Sequence, residues 1–127
     1  MRFEIGKINI ICTDAERSLR FYCDLLGFEL LEEECGAYHL RCGSTAFLLL
    51  PCADALPESA PYCSVPEFSI DLMVDDIGAA HSWFVEAGAE FASEWHPADR
   101  SFHVRDPDGL VFEVIEKKQR PAASADP

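Results

Sequence analysis

From Lys7 the chain reads KINIICTDAERSLRFYCDLLGFELLEE, and from Ser69 it reads SIDLMVDDIGAAHSWFVEAGAEFASE. The second stretch restates the first. Aligning Asp14 with Asp76 sets Ser18 on Ala80, Phe21 and Tyr22 on Trp83 and Phe84, and Asp24 on Glu86. A one-residue gap then sets Gly27 on Gly88 and Phe28-Glu29-Leu30 on Ala89-Glu90-Phe91. Each copy is an apolar stretch, an acidic cap, an amphipathic helix, a glycine and another apolar stretch. A period of 62 residues is longer than a solenoid unit and suits two fused modules. Chance pairing of apolar residues would not reproduce cap, aromatic pair, acid and glycine in one order.

Outward from the repeat, β-branched residues and period-2 alternation predict strands, with Lys7 and Asn9 on one face and Ile8 and Ile10 on the other. Asp14 caps a helix whose Leu19, Tyr22 and Leu26 form an apolar stripe, and Gly27 ends it. Strands follow over Phe28–Glu34, Ala37–Cys42 and Thr45–Leu50, with turns at Cys35-Gly36 and Gly43-Ser44. Pro51 to Pro66 holds four prolines and no periodicity, so it is a linker. The order then repeats: strand Glu67–Val74, helix Asp76–Ala87, and strands Glu90–Glu94, Arg100–Arg105 and Leu110–Lys117. Asp106-Pro107-Asp108-Gly109 is a turn between the last two strands. The expected architecture is α+β, βαβββ twice, in one domain over residues 1–117. Its modules span about 3–50 and 67–117, and residues 118–127 form a flexible tail.

Charge narrows the partners. With 23 acids against 10 bases the net charge is −13, which excludes a nucleic-acid footprint and favours a neutral or cationic ligand. No apolar run reaches the roughly 20 residues of a membrane span, and Met1-Arg2-Phe3-Glu4 does not open a signal peptide. The expectation is therefore a cytoplasmic protein without membrane contact. Six cysteines without a CxxC spacing are then reduced thiols, and Cys12 and Cys23 are small apolar-face residues.

The duplicated βαβββ order, with Asp14, Phe21-Tyr22 and Leu26-Gly27-Phe28 early and RDPDGLVFEVIE late, resembles the vicinal oxygen chelate superfamily of glyoxalase, bleomycin-resistance and dioxygenase proteins. The resemblance covers residues 3–117. It implies a U-shaped eight-stranded mixed sheet, helices on its outer face, a ligand cavity inside, and a homodimer. Metal-dependent members carry a histidine seven residues before the first helix cap, a second on the equivalent strand of module two, in some a carboxylate on the fourth strand, and a glutamate after the DPDG turn. Those positions fall here on Lys7, Ser69, the apolar run Phe47-Leu48-Leu49-Leu50, and Glu113. An ammonium has no lone pair for a metal, and serine and leucine do not replace imidazole and carboxylate. The expectation is no metal site and no cofactor.

Alternation groups Ser69 with Asp71, Val111 with Glu113 and Ile115, and Ser101 with His103 and Arg105. The resemblance points Ser101 and His103 inward. The expected ligand-binding set is thus Lys7, Asn9, Ser69, Asp71, Trp95, Ser101, His103, Arg105 and Glu113, with Tyr38 or Phe47 as further aromatic walls. A structural role competes for each: the charged members can tie strands together, and Trp95 can be a lid or a dimer contact. The expected function is a metal-independent small-molecule binding protein that sequesters an antibiotic or metabolite, with no catalytic residue assigned. The alternative is a metal-dependent lyase, isomerase or dioxygenase with a site rearranged around His103, Glu113 and Asp71. A third reading is a dimeric scaffold whose partner is another protein.

Overall fold

The computed structural model describes residues 1–118. The tail expected over residues 118–127 lies, beyond Lys118, outside the described residues. Contacts divide the chain into two compact units, Met1–Ser59 with Asp106–Gly109, and Ala60–Arg105 with the residues from Leu110 onward. Each unit carries one mixed four-stranded sheet with a helix against one face, as the α+β repeat requires.

In unit 1, β1 (Ile8–Ile11) runs parallel to β4 (Thr45–Leu50), which pairs with β3 (Ala37–Cys42) and then β2 (Glu29–Glu34) antiparallel, giving the order β1-β4-β3-β2. Unit 2 repeats it as β5-β8-β7-β6, from β5 (Ile70–Val74), β8 (Val111–Glu116), β7 (Ser101–Arg105) and β6 (Glu90–Phe91). The predicted elements are present with shorter ends: β1 begins after Lys7, and β6 keeps two of its five expected residues. Cys35 and Gly36 both have positive φ, 52° and 82°, and close the β2–β3 hairpin in the twist that a two-residue loop needs.

The helices start alike and end differently. Asp14 accepts from the Arg17 N–H at 3.2 Å and Asp76 from the Ala79 N–H at 3.0 Å, so the acidic caps of the repeat act as caps. In unit 2, α2 (Ile77–Glu86) is a regular helix. In unit 1, α1 (Ala15–Leu19) widens into a π-helical segment, Arg20–Leu25. There the Leu26 N–H reaches the Phe21 carbonyl at 3.0 Å, and the Phe28 N–H reaches Tyr22 at 2.8 Å. The matching bond in unit 2 runs from Ala89 to Phe84 at 3.0 Å and spans one residue fewer. The one-residue gap in the repeat is therefore absorbed as a widened turn, the usual way a helix accepts an insertion.

One face of each sheet is packed. In unit 1 Ile10, Phe47, Leu49 and Leu40 are buried beneath the helix with Tyr22 and Phe28. Phe28 lies 4.8 Å from Phe47 and 5.6 Å from Tyr22, ring centre to ring centre. In unit 2 Phe102, Val104, Phe112 and Val114 are buried with Ile77 and Phe84. Full burial of such a side chain contributes roughly 1.5–3 kcal/mol, so these faces carry most of the stability. All six cysteines are free thiols, and burial raises the Cys12 and Cys23 pKa values. Among the described residues no helix is long and apolar enough to cross a membrane.

The DPDG turn has a role beyond reversing the chain. It packs within unit 1, where the Asp108 carboxylate accepts from the Thr13 N–H at 2.9 Å and the Thr13 hydroxyl at 2.6 Å. Arg17 donates to the Pro107 carbonyl at 2.9 Å, and Asp106 Oδ2 accepts from the Tyr22 hydroxyl at 2.5 Å. Burial, reinforced by the Asp106 carboxylate, pushes the Tyr22 phenol well above its ordinary 10.0. A raised pKa means the folded state holds this proton more tightly than the unfolded chain. Its contribution is complete below about pH 10 and fades as pH rises above it. At pH 11 the native protein should have lost about 1.4 kcal/mol through this group. Denaturant titrations at pH 8 and pH 11 should show a smaller alkaline loss in Tyr22→Phe. An equal loss in both proteins would remove Tyr22 from the account.

Candidate functional site

The face of each sheet away from the helix is the candidate site. Register decides which side chains share it, because residues directly opposite one another point the same way. In unit 1 Asn9 pairs with Leu48, Leu48 with His39, and His39 with Glu32, giving one row across four strands. In unit 2 Asp71 pairs with Glu113 and Glu113 with His103. The rows correspond: Asn9 to Asp71, Leu48 to Glu113, and His39 to His103. The 62-residue offset links the first pair, and strand pairing links the others.

His39 carries the imidazole of the unit 1 row. It lies on the open face with both ring nitrogens engaged. Nδ1 meets the Lys7 ammonium, and Nε2 faces Glu34 at 3.5 Å and Glu32 at 4.0 Å. Arg41 shares that face in a surface pair with Glu29 at 2.7 Å. Asn9 stands exposed beside them.

His103 is held in the same manner. Nδ1 lies 3.0 Å from the Ser93 hydroxyl, and Nε2 lies 3.4 Å from the Glu113 carboxylate. Tyr62 packs against the imidazole at a tilt, with ring centres 4.6 Å apart and planes at 43°, and its hydroxyl shares a hydrogen bond with Ser69 Oγ at 2.9 Å. Asp71 is exposed at the end of the row. Ser101 sits one row along, opposite Ile115, and Arg105 lies opposite Val111 and Glu90.

Trp95 lies apart from these rows. It stacks on His81 of α2 at 4.2 Å and lies edge-on to Phe102 at 6.4 Å, on the helix side of the sheet. Tyr38 and Phe47 likewise belong to the packed side, opposite or within the row of Leu40, Phe47 and Leu49. Phe47 is buried in the core, Tyr38 and Trp95 lie partly exposed on the same side, and none of the three lines the open face. The sequence also missed Tyr62, Ser93 and the equivalence of the histidines. Tyr62 sits in an aperiodic linker, and Ser93 lies past the short β6, so neither carried a pattern to read.

The donor set does not fit the metal that the resemblance implies. Its four positions hold Lys7, Leu48, Ser69 and Glu113, and Glu113 alone offers a carboxylate. Among the described residues no group of three His, Cys, Asp or Glu side chains is arranged to hold a metal ion.

Comparison with known proteins agrees with the fold. Residues 4–114 match the model of the Glyoxalase/Bleomycin resistance protein/Dioxygenase superfamily, and the chain belongs to that superfamily. It is 29% identical over 122 residues to a catechol-2,3-dioxygenase of Bacillus subtilis (strain 168). That match takes in 91% of this chain and 42% of the relative, so the chain spans less than half the dioxygenase's length. Among solved structures it resembles a fosfomycin resistance protein from Listeria monocytogenes, with a TM-score of 0.74 and 15% identity over 93% of this chain and 96% of that one. It also resembles the trypanothione-dependent glyoxalase I of Leishmania major, with a TM-score of 0.72 and 18% identity over 91% and 87% of the two chains. At these identities the structures speak for the fold, and the site must be argued from its own residues.

Proposed function

We propose that this protein is a metal-independent small-molecule binding protein, which sequesters an antibiotic or metabolite in the cytoplasm as a homodimer. One observation carries the reading: both ring nitrogens of His39 and of His103 are engaged by groups of their own unit. With the proton on Nε2, facing a carboxylate, each ring directs its Nδ1 lone pair at a donor, Lys7 or Ser93, and a metal bound there would displace that donor. The polar face that remains has the mixed character of a small-molecule site. The net charge of −13 favours a cationic ligand, and six unpaired thiols suit a reducing compartment. Ile11 and Met73, exactly one repeat apart, are apolar and more than half exposed on the open faces, which supports a partner subunit there.

The competing reading, a metal-dependent lyase, isomerase or dioxygenase, draws on His103, Glu113 and Asp71 as neighbours in register. Elemental analysis of protein purified without a histidine tag separates the two. We expect no stoichiometric zinc, nickel, manganese or iron, and a melting temperature unchanged by chelator. About one such ion per subunit, lost on Glu113→Ala, would overturn the proposal. Light scattering at twice the chain mass across micromolar concentrations is the expected result for the dimer, and a monomer throughout would remove it.

A further inference from the structure

The Tyr62 ring packs at a tilt against His103, and it comes from the proline-rich segment between the modules, outside any strand or helix. Its position is built. Pro61 to Ser64 form a tight turn in which the Ser64 N–H and hydroxyl both donate to the Pro61 carbonyl, at 3.0 and 2.5 Å. Cys63, the third residue of that turn, has φ 70°, a value that glycine adopts readily and other residues rarely. The turn delivers the phenol ring onto the imidazole and its hydroxyl onto Ser69. His103 can serve as a platform because Ser93 and Glu113 meet its two nitrogens at the ring edge, which leaves its face to the Tyr62 ring. Beyond the ring, Glu113 and Asp71 continue the row and make that end of the face acidic.

We propose that Tyr62 is an internal occupant of a phenol subsite formed by His103 and Ser69, and that the external ligand is a single-ring phenol bearing a cationic arm, which displaces Tyr62. The proposal rests on the small-molecule binding reading and names the ligand class for it. The imidazole face selects a planar ring, as it takes that of Tyr62, Ser69 selects its hydroxyl, and the Glu113–Asp71 row selects the positive arm. An internal competitor lowers apparent affinity by the fraction of time the subsite is free, so the tyrosine also sets the ligand concentration to which the protein responds.

Tyramine is the probe, with 2-phenylethylamine lacking the hydroxyl and 4-hydroxyphenylacetate reversing the charge of the arm. Titration calorimetry should rank tyramine at least about tenfold tighter than either control, the scale of one lost charged or hydrogen-bonded contact. Tyr62→Ala should tighten tyramine about tenfold, as expected for removal of a competitor present about 90% of the time. Tyr62→Phe, which keeps the ring and loses the Ser69 bond, should tighten it by a smaller factor and serves if the alanine variant does not fold. In both variants the His103 ring protons should move in NMR spectra as the neighbouring phenol is removed or loosened. Unchanged or weaker tyramine binding in both variants would overturn the proposal, and so would equal binding of all three probes. A metal-free protein that binds other small molecules but not tyramine sinks this inference alone. A stoichiometric metal ion with tyramine still bound sinks the metal-independent reading and leaves the subsite.

Discussion

Asp108→Ala is expected to lower stability by about 3 kcal/mol, roughly 10 °C in melting temperature for a domain of this size. Asp108 is buried, and it accepts both the backbone N–H and the hydroxyl of Thr13 at 2.9 and 2.6 Å. Hydrogen bonds to a charged acceptor contribute roughly 1.5–3 kcal/mol, and loss of this one leaves the Thr13 N–H without its acceptor at the β1–α1 junction. The nearby Arg17 contact at 3.5 Å adds little, because the arginine side chain is 47% exposed and water screens it. Arg17→Ala should therefore cost less than about 1 kcal/mol. Thermal melts of the two variants check the pair. An Asp108→Ala melt within a degree or two of the parent would reduce the DPDG sequence to an ordinary turn.

Trp95→Ala is expected to cost about 2–3 kcal/mol while leaving ligand binding intact, the opposite of what a ligand-binding tryptophan would do. The side chain is partly exposed, so the loss falls below that of a fully buried aromatic. What disappears is the stack on His81 at 4.2 Å and the edge contact with Phe102, both on the helix side of unit 2. Chemical denaturation together with tyramine titration reads the two effects separately. A weakened affinity with unchanged stability would restore Trp95 to the site.

Much of the fold was legible because it is written in local chemistry. Asp14 and Asp76 cap helices since a short carboxylate satisfies a first-turn N–H, and that preference needs only neighbouring residues. Alternation along β7 separated Phe102 and Val104 from His103 and Arg105 because successive side chains point to opposite faces. The repeat then fixed the element order twice over. Its one-residue gap was visible as well, though not that the backbone would take it up as a π-helical turn.

The rest depended on which segments meet, and no local pattern encodes that. Register across β1, β4 and β3 brought His39 beside Lys7 and made it the counterpart of His103, although neither strand announces its pairing. Trp95 read as a pocket aromatic until packing against α2 turned it inward, since an aromatic in a loop has no periodicity to give its direction. Tyr62 reaches His103 across 41 residues of sequence, and Thr13 meets Asp108 across 95. The sequence by itself determined the duplicated α+β order, the caps and the mismatch at the family's metal positions, all properties of residue type and spacing. Tertiary structure alone decided which polar groups occupy the histidine nitrogens and which ring covers His103, because those contacts form between segments far apart in the chain.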